Sequence, residues 1–192
     1  MELESRKCGS MYENAKHGFR LVVPRGWMIV DFPGTAVALV APKLDSAGQT
    51  EDGEVPCPDK GVQDGTFRTS LNVTCHSLPS SNMNLDMMVQ ESLREIEGFL
   101  KGFALESIDE TVLSFLPARK LVYMGKPQGH DVRFLQYVTV VGCVAYTVTL
   151  VASRTCNAKE LTEGRSIIDS FEIRVTKAEG LLAHDHAERR ES

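Results

Sequence analysis

The cysteines of this chain lack the spacing that metal ligation or redox chemistry needs. The five stand at positions 8, 57, 75, 143 and 156 with no C-x-x-C pair. That leaves no basis for a structural zinc site and makes a reduced compartment the simpler setting. A G-x-S-x-G elbow, a Walker A loop, a paired-glycine dinucleotide fingerprint and an H-E-x-x-H helix are missing too. Their absence removes the motif-based case for a hydrolase, a nucleotide enzyme or a metalloprotease, and no cofactor is expected. Basic charge is scarce: 21 Lys and Arg face 26 Asp and Glu, a formal charge of -5. A nucleic-acid binder needs a concentrated basic face, so nucleic acid is not an expected partner. The amino-terminal run Met1-Glu2-Leu3-Glu4-Ser5-Arg6-Lys7 has no apolar core of the kind a secretory signal carries. Glu2 stands where myristoylation requires glycine, and Arg190-Glu191-Ser192 is not a prenylation box. The expectation is a cytoplasmic protein, with the nucleus also open to it, a monomer, and no membrane partner.

Long apolar runs are few as well. Phe134 to Ala152 spans 19 residues without a charge, close to the length that crosses a bilayer. It is rich in β-branched and aromatic residues and is broken by Gly142, so two strands and a turn are expected instead. A turn centred on Val141-Gly142 would set Tyr137 opposite Tyr146 and Leu135 opposite Val148. Asn72-Val73-Thr74 matches a glycosylation acceptor, but that modification requires secretion.

What the chain does contain is enough apolar residue, 42% of 192, for one domain with tails. Phe19, Leu21 and Val23 alternate into a strand with a fully apolar face, and Pro24-Arg25-Gly26 supplies a turn. Trp27 to Val30 and Ala36 to Ala41 follow as strands, giving a meander. Residues 42–66 form an acidic loop with no helical or strand period, and their acids lack calcium-loop spacing. Leu71, Val73 and Cys75 alternate as a further strand. Asn84 is an N-cap for a helix whose core stripe is Leu85, Val89, Leu93, Ile96, Leu100 and Phe103. Met83, Met87 and Met88 widen its apolar side as core filling. Leu105 to Leu116 and Leu121 to Met124 are strands around Pro117. Asn157 and Glu160 form a capping arrangement for a second helix, with Phe171 to Val175 a closing strand. Residues 1–11 are expected to be a flexible tail, 12–175 a single domain and 176–192 a charged tail.

These elements together resemble the PsbP-like family, which includes the photosystem protein PsbP, the Ran-binding Mog protein and bacterial DcrB-like proteins. The likeness rests on Gly18-Phe19-Arg20-Leu21-Val22-Val23-Pro24-Arg25-Gly26-Trp27 as opening strand, proline turn and tryptophan. It extends to the helix of Leu85 to Leu100, the hairpin of Phe134 to Ala152, and Ile167-Ile168-Asp169-Ser170-Phe171 at a helix end. The resemblance implies an α+β fold, an antiparallel β-sheet sandwiched between helices, in a family whose members generally bind proteins. It implies a protein partner, with a Ran-type small GTPase among the candidates. No binding residue transfers with it. The photosystem role needs targeting sequences that are not seen here.

Candidate chemistry is thin. Cys143, beside the hairpin turn, is read as a small packed residue, since a nucleophile needs a base and His130 lies a full strand away. Cys75 is assigned to the core and His76 to the surface, because neighbours in a strand point to opposite faces. Cys57 lies between prolines and is read as exposed. His184-Asp185-His186 is read as incidental tail composition rather than a metal site. Asp86, Glu91, Glu95 and Glu97 on the first helix are the candidate partner-binding residues, able to face a basic surface, although a solvated helix face is the preferred account of them. The composite expectation is a non-catalytic binding or adaptor module. A chaperone shielding apolar segments of a secreted client is the alternative, and a cysteine-dependent enzyme the third reading.

Overall fold

Phe19, Leu21 and Val23 are buried while Arg20 and Val22 between them are half-buried, the period of a strand with one face on a core. The computed structural model in which this is seen describes residues 9–42, 67–79 and 83–174. Most of the acidic loop, the last residues of the chain, Cys57 and the His184-Asp185-His186 group lie outside the described residues. Strand β1 (Ser10–Asn14) pairs antiparallel with β2 (Phe19–Val23). Ser10 and Met11, assigned to the tail by sequence, therefore belong to a strand. At the other edge of β2 the closing strand, here numbered β10 (Glu172–Ile173), completes a three-stranded sheet.

The chain does not continue as a meander. The turn after β2 has Gly26 in the left-handed region, φ +81°, and Trp27 N–H bonded to Pro24 C=O at 3.2 Å, a conformation glycine adopts freely. It moves the chain into a second sheet. That sheet holds β3 (Met28–Val30), β4 (Val37–Val40), β5 (Ser70–Ser77), β6 (Ala104–Leu113), β7 (Leu116–Gly125), β8 (Val132–Val141) and β9 (Val144–Ser153). Its seven strands run in the order β3-β4-β5-β9-β8-β7-β6, and every pairing is antiparallel. The 19-residue uncharged run is the β8–β9 hairpin. Its turn is Gly142–Cys143, so Tyr137 faces Val148 and Leu135 faces Leu150. The expected partners were two residues off. The faces were right, because a slip of two residues preserves the side on which each side chain stands.

Helix α1 (Leu85–Phe99) begins where Asn84 accepts the Met87 N–H at 2.9 Å, satisfying a donor with no partner within the helix. Val89, Ile96 and Leu100 pack on Leu121, Tyr123 and Val138 of β7 and β8. Of the three methionines, Met88 joins this cluster but Met87 is 49% exposed, which corrects the core reading. Beneath α1 the buried Gln136 accepts from Tyr123 Oη at 2.7 Å and donates to Ser92 Oγ at 3.3 Å, so the polar groups below the helix are partnered.

Helix α2 (Ala158–Asp169) is capped by Asn157, whose Oδ1 accepts from Glu160 N–H at 2.8 Å. Ile167 and Ile168 bury against the opposite face of the sheet, in one cluster with Leu71, Val148 and Leu150 and with Phe19 and Leu21 of the small sheet. The architecture is mostly antiparallel β-sheet with two helices. The expected sandwich is partial, because the layer on the α2 side is shared between a helix and three strands.

Pro117 is not a breaker between strands. It lies inside β7, opposite Val112, and β7 pairs with β8 only from Ala118 onward, so no ladder bond is lost to the ring. The hairpin turns instead at Ser114 and Phe115, with φ of +53° and +64°, values a two-residue turn needs and glycine or asparagine normally supplies. Phe115 is 94% exposed, so packing does not offset the strain. Left-handed backbone costs a non-glycine residue about 1–2 kcal/mol, and glycine adds roughly 0.5–1 kcal/mol of unfolded-state entropy. Phe115→Gly is therefore expected to stabilise the protein by up to about 1 kcal/mol. The check is a higher urea midpoint at unchanged slope; a lower midpoint would show that the ring has a structural partner.

Candidate functional site

The two outer strands next to β6 leave part of their α2-side face open. Three cross-strand pairs stand there in register: Lys120 with Tyr137, Val122 with Leu135, and Met124 with Arg133. Helix α2 covers the neighbouring strand β9, where Gly164 lets it approach Leu150 closely. Between helix and open face runs a groove of about 850 Å³, within the size range of ligand sites. Its floor is apolar, from Val122, Met124, Leu135, Leu150 and Ala152, and its helix wall adds Leu161 and Ile168.

The rim is charged. Lys120, Arg133, Arg154 and Arg165 face only Glu106 and Asp169 among the lining residues, a local cationic excess on a chain of net charge -5. Two of these cations are engaged. Arg133 binds Glu106 at 2.6 Å and Lys120 binds Asp109 at 2.8 Å. The hydrogen bond from Lys120 holds the Asp109 carboxyl below its ordinary range, and the same bond raises the lysine. Arg154 and Arg165 are exposed and have no ion-pair partner among the described residues.

Nucleophilic chemistry finds no activated group here. Cys156 lines the groove, and burial followed by the neighbouring Glu160 pushes its thiol up, away from the thiolate form that reacts. Cys75 is half-buried against the core as expected, its thiol pushed up to about 11 by desolvation. Cys143 is exposed in the hairpin turn, which corrects its assignment as a packed residue. His130 sits just before β8, at the end remote from that turn, against the ring of Phe67 at 5.9 Å. Among the described residues no group of three or more His, Cys, Asp or Glu side chains could hold a metal ion. Nor is any described helix long and apolar enough to cross a membrane.

The four candidate acids of α1 are all exposed. Asp86 binds Arg119 of β7 at 2.9 Å, and Arg119 also reaches Glu110 at 3.1 Å. Glu91 binds Arg94 at 3.5 Å. At 3.6 residues per turn Asp86 and Glu97 share one row, while Glu91 and Glu95 lie about 140–180° round the helix. The helix thus divides the four acids between two rows. The groove residues were missed by sequence reasoning. A signal existed in the alternation of Arg133, Leu135 and Tyr137 with Lys120, Val122 and Met124, but it becomes a face only once β7 and β8 are paired.

By sequence, no protein-family model and no curated protein matches the chain. By structure, similar proteins are found. The solution structure of cyanobacterial PsbP from Synechocystis sp. PCC 6803 matches with a TM-score of 0.55 at 14% identity, over 90% of this chain and 96% of that one. This is the PsbP/Mog1-like fold. LpqN of Mycobacterium tuberculosis, described as involved in cell envelope biogenesis, matches with a TM-score of 0.55 at 13% identity, over 87% of this chain and 86% of its own. A point mutant of the protein Mog1 matches with a TM-score of 0.51 at 15% identity, covering 88% of this chain and 98% of that one. At these identities the PsbP/Mog1-like likeness carries architecture, and the groove has to be argued from its own residues.

Proposed function

We propose that this chain is a non-catalytic protein-binding module that works as a cytoplasmic or nuclear adaptor. The observation that carries this reading is the open groove beside α2, an apolar floor within a polar rim and without an activated nucleophile. An apolar centre ringed by polar groups is the layout of a protein contact surface. A Ran-type GTPase is the first partner to test, on the strength of the PsbP/Mog1-like fold. The acids of α1 offer two further exposed rows, Asp86 with Glu97 and Glu91 with Glu95, each suited to a basic partner. Purification of the tagged protein from native lysate at moderate salt is expected to return a reproducible partner, and direct titration with a purified Ran-type GTPase in each nucleotide state tests that class. Failure of both would remove the reading.

The chaperone alternative draws on a different feature. The edge strand β6 and its turn expose Leu105, Ile108, Val112 and Phe115 at 44% to 94%, and exposed apolar clusters mark interaction sites. Under that reading the protein suppresses aggregation of an unfolded client, and Phe115→Gly weakens the effect.

A further inference from the structure

Within the binding-module reading, on which this inference rests, the groove also specifies its occupant. Arg154 and Arg165, the two lining cations without an ion-pair partner among the described residues, stand at different ends of the groove. Arg165 on α2 stands near the Lys120–Tyr137 pair, acting electrostatically on both. Arg154 follows the end of β9 and its N–H meets Asp131 C=O at 3.4 Å, at the Arg133 end. A single headgroup or phosphate would be held by converging donors. Separated guanidiniums along an apolar floor suit a chain with carboxylates at intervals. The two ends of the groove, Lys120 with Tyr137 and Met124 with Arg133, are four residues apart along β7, about 13 Å at about 3.3 Å per residue, a span that about four residues of an extended ligand match. Period-two alternation then directs both carboxylates and the residue midway between them to the same side. That middle residue would lie on Val122 and Leu135, the in-register pair at the floor.

We propose that the groove binds an extended acidic segment of a partner protein, of the pattern acid-x-apolar-x-acid. Arg154 and Arg165 take the two carboxylates, and the sheet floor takes the apolar side chain. Guanidinium pairs carboxylate through two parallel bonds, and the floor supplies the burial that a purely electrostatic contact lacks.

Fluorescence anisotropy with a dye-labelled acid-x-leucine-x-acid nonapeptide tests this on the full chain. Three comparisons accompany it: a peptide with both acids changed to amides, one with the acids adjacent, and the protein variant R154E/R165E. The spaced peptide is expected to bind about tenfold or more tightly than either control and to lose at least that on the double substitution. Both arginines are exposed, so circular dichroism and the urea midpoint should be unchanged. Equal binding of the amide peptide, equal binding by the variant, or no binding at millimolar peptide would each overturn the assignment. Arginine-dependent binding to phosphatidylserine vesicles in place of the peptide would overturn it in favour of a lipid. If a lysate partner is captured equally by wild type and R154E/R165E, the groove inference fails while the binding module stands.

Discussion

Phe19→Ala is expected to cost about 3–5 kcal/mol of folding stability. Phe19 is fully buried on the middle strand of the small sheet, paired through its backbone with Asn14 on one side and Ile173 on the other. Its ring meets Phe171 at 5.3 Å and Tyr12 at 6.3 Å. Phe171 follows α2 directly, so this ring joins the small sheet to the end of the helix. Removing it loses the transfer energy of the side chain and leaves a cavity, because paired strands on both sides restrict collapse. Phe115→Ala removes the same atoms from a 94% exposed site and should stay within about 0.5 kcal/mol. Urea unfolding followed by far-ultraviolet circular dichroism reads both. A cost below about 1 kcal/mol at Phe19 would show that the small sheet is not held on the large one by this contact.

The same residue shows what was legible in the chain and why. Alternation over Phe19, Leu21 and Val23 is a local pattern, and it determined which face is buried. The N-caps Asn84 and Asn157 were equally local, each a single side chain closing onto an amide three residues on. Pairing between distant strands was not local. Nothing in the Gly18 to Trp27 stretch states that β2 and β3 enter different sheets, because that depends on what lies on either side of the turn. The Ser114-Phe115 turn was hidden for another reason. Its left-handed conformations are imposed by the pairing of β6 with β7 against the preference of the residues themselves, so turn chemistry pointed to Pro117 instead. Cys143 was misassigned because a small apolar residue in an uncharged run reads as core, while a two-residue hairpin turn projects it into solvent.

The groove was the least legible part, since it is defined by how closely α2 approaches the sheet, and a glycine controls that distance. A Cβ added at Gly164 would stand 2.5 Å from Leu150 Cδ1 and 3.0 Å from Cδ2. Leu150 is 2% exposed and part of the core cluster, so its methyl groups can turn aside only toward the groove that it also lines. Gly98 in α1 is the internal comparison, because a Cβ there meets nothing within 4 Å. Glycine in a helix interior costs about 1 kcal/mol relative to alanine, and Gly98 is the next-to-last residue of α1, so Gly98→Ala is expected to stabilise by up to about that amount. Gly164→Ala gains the same propensity but overpacks the contact with Leu150, and a net loss of about 1–3 kcal/mol is expected. Combining it with Leu150→Ala should recover much of that loss, since the cavity left by one change accepts the methyl of the other. The coupling should reach about 1–3 kcal/mol, well beyond the additivity expected of separate sites. Independent effects in this cycle would mean that α2 moves away from the sheet to accommodate the methyl. Because Arg165 rides on that helix, such a movement would also separate it from the floor, and binding of the acidic peptide would weaken in Gly164→Ala even where the fold survives.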